Sequence, residues 1–438
     1  MVICEECKQE NTGYKWWCKP CNAKHFQQNF KNWTSGNDDI DKLIQDTQLS
    51  ADDNYEILEW IPYNKLYDIE YIAKGGFGKV YRAKWIDGYI WSWDNKVQNW
   101  YRHSSNEFVA LKSLYNSENV TSEFINEVTM HSKTVNLSKF SHVTRVYGIT
   151  QDPETKDYMM VMEYAENGSL RNYLDKFYDK LDWKTKFEHL LWISSGLRII
   201  HMNELIHRDL HIGNILYFSN YTSVTDMGLC KPANYNASEN AKPCIYGVLP
   251  YVAPEILRGQ NYTKAADIYS FGVIMYEVIS GLPPYHDLCH NEYLAIKICQ
   301  GLRPRFNIKV PQLIVHLIKR CLDANPLNRP EIYEIFNILC EWDRHNNGLT
   351  EIGKQIKEAE EINNKLPSNS IPSTSLSYET HSEAVYTSRL LNFNNLPEPK
   401  NPNDFYEQND NIISEKFSES LQIDLSRLKI NEINKDDQ

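Results

Sequence analysis

The feature that most constrains this chain is the spacing of two aspartates around an asparagine. Asp209 stands five residues ahead of Asn214 within Leu205-Ile-His-Arg-Asp-Leu-His-Ile-Gly-Asn-Ile-Leu216, and Asp226-Met-Gly228 begins ten residues after that run ends. A single spacing of this kind arises by chance, so its neighbours decide its weight. Upstream lie Ile72-Ala-Lys-Gly-Gly-Phe-Gly-Lys-Val-Tyr81, Val109-Ala-Leu-Lys112 and Phe124-Ile-Asn-Glu-Val128. Downstream lie Ala253-Pro-Glu255, Asp267-Ile-Tyr-Ser-Phe-Gly272 and Asn325-Pro-Leu-Asn-Arg-Pro330. Independent blocks in one fixed order multiply the odds against coincidence.

In that order the blocks resemble the protein kinase family, and the resemblance runs from Ile57 to Trp342. It implies an α+β bilobal fold, with a small β-rich N-lobe and a large helical C-lobe. It also implies transfer of the ATP γ-phosphoryl group to a hydroxyl. By that resemblance Lys112 clamps the phosphates and pairs with Glu127. Asp209, preceded by Arg208, orients the acceptor hydroxyl and takes its proton. Asn214 and Asp226 supply the oxygen ligands that Mg²⁺, a hard cation, requires. Ile72, Gly75, Gly76, Gly78, Val80, Ala110, Met162, Glu163, Ala165 and Leu216 surround the nucleotide. Glycines suit the phosphate loop because a Cβ would keep the backbone N–H groups away from the phosphates. Ala73 replaces the first family glycine, and Met227 replaces the Phe after the second Asp. Arg329 pairs with Glu255 in the family.

Two departures carry more weight. Where Ser/Thr kinases place a Lys and a Thr near the catalytic Asp, this chain has His211 and Val248. The tyrosine-kinase signatures are absent too. The pattern is most similar to the tyrosine-kinase-like group, and within it to an expanded fungal family with an N-terminal Cys cluster. The reading is an enzyme acting on protein Ser/Thr hydroxyls. The rival reading is a pseudokinase scaffold that binds partners without efficient catalysis. Arg208 beside Asp209 implies an activation loop ordered by an anion, supplied by an upstream kinase or by the chain itself. Ser238 and Tyr235 are the candidate phosphate carriers, Glu239 is the constitutive alternative, and Tyr251 is structural.

Cys4-x₂-Cys7, ten residues, and Cys18-x₂-Cys21 set two close thiol pairs on two turns. That is the ligand spacing of a closed tetrahedral Zn²⁺ site. Residues 1–25 are therefore read as a zinc knuckle that draws its folding energy from the metal, with Trp16 and Trp17 either packed on the knuckle or facing a partner. Residues 26–56 are polar and read as a linker that can hold one short helix. Residues 57–342 are the kinase unit. Within them Trp85, Trp91, Trp93 and Trp100 fall in an insertion whose alternation predicts a β-hairpin, covering the lobe or facing a partner. Residues 343–438 read as a tail with one helix, ended at Pro367, and then a composition that favours disorder. Ser388–Phe393 and Leu421–Leu425 are short apolar islands in it, either folded back on the kinase or idle.

The net charge of −12 argues against nucleic acid or an anionic membrane as main partner. No charged-then-apolar leader is present, and the apolar runs are too short to span a bilayer. The expectation is a protein of the cytosol or the nucleus, with protein substrates as its partners. The remaining cysteines are read as free thiols.

Overall fold

Two helices precede the first sheet, α1 (Lys19–Asn29) and α2 (Asp38–Ser50). The computed structural model describes residues 3–11, 13, 17–74, 78–114, 122–135, 142–233, 245–344, 349–365 and 379–403. Helix α2 starts where its sequence says it should. The Asn37 side chain accepts from the amides of Asp39 and Ile40, and three aspartates occupy the first turn, where they oppose the positive end of the helix dipole. Ile40, Ile44 and Gln48 recur every four residues and are buried.

A six-stranded sheet follows, built from β1 (Glu59–Trp60), β2 (Leu66–Lys74), β3 (Gly78–Trp85), β6 (Glu107–Leu114), β7 (Val146–Gln151) and β8 (Tyr158–Glu163) in the order β1-β7-β8-β6-β3-β2. Between β3 and β6 the hairpin β4 (Tyr89–Asp94) and β5 (Asn99–His103) stands apart from the sheet. Helix α3 (Ser122–Val135) packs with α2 on one face of the sheet, where Phe124 and Val128 meet Ile40, Ile44, Leu58, Ile149 and Met160. Met159 and Val161 point to the other face, among Leu66, Ala83, Trp85, Val109 and Leu111. Both faces of β8 are thus covered, which is why Tyr158–Met162 is an unbroken apolar run.

Residues 26–56 are therefore not a spacer. Ile40 and Ile44 are fully buried against the sheet, and the Tyr158 hydroxyl donates to the Ser35 carbonyl at 2.9 Å. The polar residues that suggested a linker form the solvent face of an amphipathic helix. The hairpin tryptophans likewise gain a cover from within the chain. Trp100 stacks on Phe26 at 4.3 Å, His25 lies on Trp93 at 3.7 Å, and Trp17 donates to the Ala51 carbonyl at 3.0 Å. Trp16 lies outside the described residues.

The second lobe runs through α4 (Leu170–Phe177), α5 (Trp183–Met202), the short strands β9 (Leu205–Ile206), β10 (Ile215–Tyr217), β11 (Thr222–Val224), β12 (Lys231–Pro232) and β13 (Ile245–Gly247), and then α6 (Pro254–Leu257). Its axis is α7 (Lys264–Ser280), buried from Ala266 to Ser280, as expected of a helix apolar all round. Gly281 ends α7 at φ +75, and a Cβ there would stand 2.6 Å from the Tyr178 ring, so both the conformation and the close approach call for glycine. Around it pack α8 (Glu292–Cys299), α9 (Gln312–Cys321), α10 (Ile332–Arg344) and α11 (Glu351–Asn363).

The tail departs from the expectation of disorder over residues 379–403. It crosses the second lobe, forms β14 (Arg389–Leu391) and buries Leu391 and Leu396 in the lobe's core. The apolar island Ser388–Phe393, with Leu396 beyond it, takes the folded-back alternative; the polar composition of the tail as a whole does not reflect this stretch. Pro367 and Leu421–Leu425 lie outside the described residues. Among the described residues, no helix is long and apolar enough to cross a membrane.

Candidate active site

Lys112 on β6 and Glu127 on α3 meet across the first lobe, with Lys112 Nζ 2.7 Å from Glu127 Oε1. The same ammonium lies 2.9 Å from Asp226 Oδ1. Burial would push the Lys112 pKa down, but the Asp226 and Glu127 charges hold it above its ordinary value. Burial likewise would raise Asp226, yet the Lys112 charge and hydrogen bond pull it down to about 2. The site therefore holds a fixed cation beside a fixed anion, each kept ionised by the other.

The loop after β9 carries Asp209. Its backbone is anchored by Asp267 of α7, which accepts from the amides of His207 at 2.8 Å and Arg208 at 3.0 Å and contacts His201 Nε2 at 2.9 Å. Arg208 takes φ +71 and Asp226 φ +63, conformations that cost about 1–3 kcal/mol each and persist only where neighbours enforce them. Asn214 Nδ2 donates to the Asp209 carbonyl at 3.0 Å. This fixes the amide and leaves its Oδ1 as the atom for a cation. An amide oxygen and an ionised carboxylate are a donor set suited to Mg²⁺. Burial, and then the Asp226 charge, push Asp209 up to about 6.

His211 takes the place of the family lysine. Its Nδ1 accepts from the Gly213 amide at 3.2 Å, so the proton sits on Nε2, which faces Asp209 Oδ2 at 3.9 Å. Burial pushes its pKa down to about 4, so the ring is neutral. Val248 is buried close by. Arg208 lays its guanidinium 4.4 Å over the Tyr262 ring. Tyr251 is buried and its hydroxyl bonds Glu277.

The residues expected to surround the nucleotide fall as follows. Strand register places Val80 beside Lys112, and Ala110 beside Met162. Glu163 ends β8 and accepts from the Tyr221 hydroxyl at 2.6 Å, and Ala165 is buried just beyond it. Leu216 lies on β10 opposite Ser223. Ile72 is exposed on β2, and Gly78 opens β3. Gly75 and Gly76 lie outside the described residues, as do Tyr235, Ser238 and Glu239. Arg329 grips Glu255 with both forks, at 2.6 and 2.7 Å, with both side chains buried.

At the other end of the first lobe the sulfurs of Cys4, Cys7, Cys18 and Cys21 lie within 4.8 Å of one another. Cys4 and Cys21 are 3.8 Å apart, and Cys7 and Cys18 3.7 Å apart. Four sulfurs at about 2.3 Å from a tetrahedral ion stand about 3.8 Å from each other, so the set fits one metal ion.

Reading the blocks alone missed the role of Asp267 and the place of Ser388. The block that begins at Asp267 does not by itself show that this acid anchors backbone amides some sixty residues away. Ser388 had no signal beyond the apolar island after it.

The family model described as protein tyrosine and serine/threonine kinase matches residues 67–339. The chain is 29% identical over 300 residues to receptor-interacting serine/threonine-protein kinase 2 of Bos taurus, covering 64% of this chain and 52% of that one. It is 28% identical over 304 residues to mitogen-activated protein kinase kinase kinase 7 of Bos taurus, covering 67% and 46%. A tyrosine-protein kinase, SPK-1 of Girardia tigrina, is 27% identical over 268 residues, covering 59% and 49%. The chain spans about half the length of these relatives.

Proposed function

The chain belongs to the protein tyrosine and serine/threonine kinase family, and we propose that it transfers the γ-phosphoryl group of ATP to Ser/Thr hydroxyls of protein substrates. The observation that carries this reading is the Lys112 ammonium held between Glu127 and Asp226. A charge so placed and kept dry is preorganised for phosphate oxygens. Lys112 binds the phosphates. Asp209, fixed through Asn214 and Asp267, orients the acceptor hydroxyl and receives its proton. The neutral His211 N–H faces Asp209 in place of a lysine, contributing a dipole where the family uses a charge. Asn214 and Asp226 would hold Mg²⁺, which would supply positive charge to offset that of the phosphates.

The finer assignments belong to the same reading. The relatives named above support a place in the tyrosine-kinase-like group, and the cysteine cluster is consistent with the fungal branch that carries one. Residues 57–342 are the catalytic unit. Residues 1–25 are a structural zinc unit, its four thiolates leaving no open position for catalysis. An upstream kinase, or the chain itself, phosphorylates the activation loop. The protein works in the cytosol or the nucleus.

The test is Mg-ATP with mixed peptides and mass spectrometry of the products, with Lys112→Met beside the parent chain. Phosphate on Ser or Thr, lost in the variant, supports the reading. The scaffold reading, which His211 and Val248 keep in play, predicts no efficient transfer.

A further inference from the structure

The tail does not merely cover the second lobe. Strand β14 pairs antiparallel with β13 of the activation segment, Leu391 against Ile245, Leu390 against Tyr246 and Arg389 against Gly247. Gly247 stands beside the catalytic carboxylate: a Cβ on it would be 3.6 Å from Asp209 Oδ1. The residue just before the last pair, on the tail side, is Ser388. Its hydroxyl oxygen is buried and makes no hydrogen bond of ordinary geometry in the protein. The neighbouring hydroxyl, Thr387, is exposed.

The strand is held on both sides of this point. Upstream, His290 Nδ1 accepts the Val385 amide at 3.1 Å, and the Tyr386 hydroxyl donates to the Pro284 carbonyl at 3.0 Å. Downstream, Arg258 pairs with Glu398, and Asn401 Oδ1 accepts the Ala324 amide at 2.7 Å. Strand addition to an exposed edge is a common way for proteins to take peptides, and here the added strand is the chain's own.

We propose that Ser388 is the chain's own phosphate acceptor: β14 lies along the activation segment as a peptide substrate would and presents the Ser388 hydroxyl to Asp209. This rests on the phosphotransfer reading above. In the step, a bond forms between Ser388 Oγ and the γ-phosphorus of ATP. The bond from that phosphorus to the bridging oxygen breaks, ADP leaves with the electron pair, and the hydroxyl proton passes to Asp209. Before transfer the tail occupies the lane that other peptides need, at an effective concentration on the order of millimolar for a tethered segment. After transfer Ser388 carries about −1.5 to −2 charges and no proton to donate, beside Asp209. Repulsion then releases the strand and opens the lane.

The experiment uses the full chain with Mg-ATP over a wide range of enzyme concentration, reading phosphosites by mass spectrometry and, in parallel, initial rates on a Ser-containing peptide library. Ser388 should acquire phosphate with a first-order rate constant that does not change with enzyme concentration. Glu398→Lys, which sets a cation against Arg258 on the exposed side, should raise the initial peptide rate about fivefold by shifting the tail off the lane. Leu391→Asp should do so more strongly. Ser388→Ala should remove that phosphate and keep the peptide rate low after preincubation with ATP. Peptide phosphorylation with Ser388 unmodified, a rate constant rising with enzyme concentration, or a Glu398→Lys variant no faster than the parent would each overturn the proposal while sparing the kinase reading. If neither Ser388 nor any peptide is phosphorylated by any variant, the kinase reading fails and this proposal falls with it.

Discussion

The His25 imidazole lies flat on the Trp93 indole, ring centroids 3.7 Å apart with 11° between the planes. That stack ties the cysteine cluster, through α1, to the hairpin of the first lobe. The adjoining Phe26–Trp100 and Trp17–Trp100 stacks extend it. A polar linker would have let the two units melt separately, whereas this interface couples them.

Loss of the metal proposed for residues 1–25 should therefore reach the first lobe. Aromatic pairs are worth about 0.5–1.5 kcal/mol each beyond their burial, so losing three stacks costs about 2–4 kcal/mol. Chelation at neutral pH should lower the midpoint of thermal unfolding by about 4–10 °C and change the tryptophan fluorescence. Cys18→Ser should reproduce both effects. An unchanged midpoint after loss of the metal would mean that the stacks do not hold the two units together.

Arg329 and Glu255 give a second prediction. Both side chains are almost completely buried and joined by two hydrogen bonds. Breaking such a pair strands the partner's charge and costs about 3–5 kcal/mol. Glu255→Gln should lower the free energy of urea unfolding by that amount. Arg329→Lys should come close, because an ammonium cannot reproduce the fork and the bond to the Asp323 carbonyl. A loss within experimental error would show that the pair is dispensable to the fold.

Histidine burial sets an acid limit. His189 sits among Tyr173, Trp192 and Tyr217 with neither ring nitrogen hydrogen-bonded, and burial pushes its pKa down to about 4. The unfolded value is about 6.5. Between the two values the unfolded chain takes up a proton and the folded one does not, so stability rises with pH across that window and is lost as pH falls through it. His189→Leu should lower the slope of unfolding free energy against pH between about pH 4 and 6.5 by up to about one proton, leaving the part due to His131 and His211. The same slope in parent and variant would place the acid sensitivity elsewhere.

Much of this architecture is written in local patterns. The alternation in Tyr89–Trp93 appears as a hairpin, and the spaced isoleucines after Glu351 appear as α11. The blocks around Lys112, Glu127, Asp209 and Asp226 point to residues that converge in space although they lie on four separate segments. Partners distant in sequence are harder to read. Nothing local to Asp38–Ser50 says that its apolar stripe meets Phe124 and Leu58, so a polar composition passes for a linker. Likewise Leu391 and Leu396 are few among many polar tail residues, and only a ready groove on the second lobe orders them. The weight of Asp267 comes from two backbone amides some sixty residues away, a bond that no motif spacing encodes.

Phosphoryl transfer itself is the central claim, and one measurement addresses it most directly. The purified full chain and its Asp209→Asn variant are given Mg-ATP with mixed Ser, Thr and Tyr peptides, and phosphate on each hydroxyl is quantified by mass spectrometry. A positioned general base contributes about 10²–10⁴ in rate. The account predicts phosphate on Ser or Thr from the parent and a loss of about that size in a variant that still unfolds cooperatively. Equal turnover by the two proteins, or no phosphate on any hydroxyl from the parent, would contradict it.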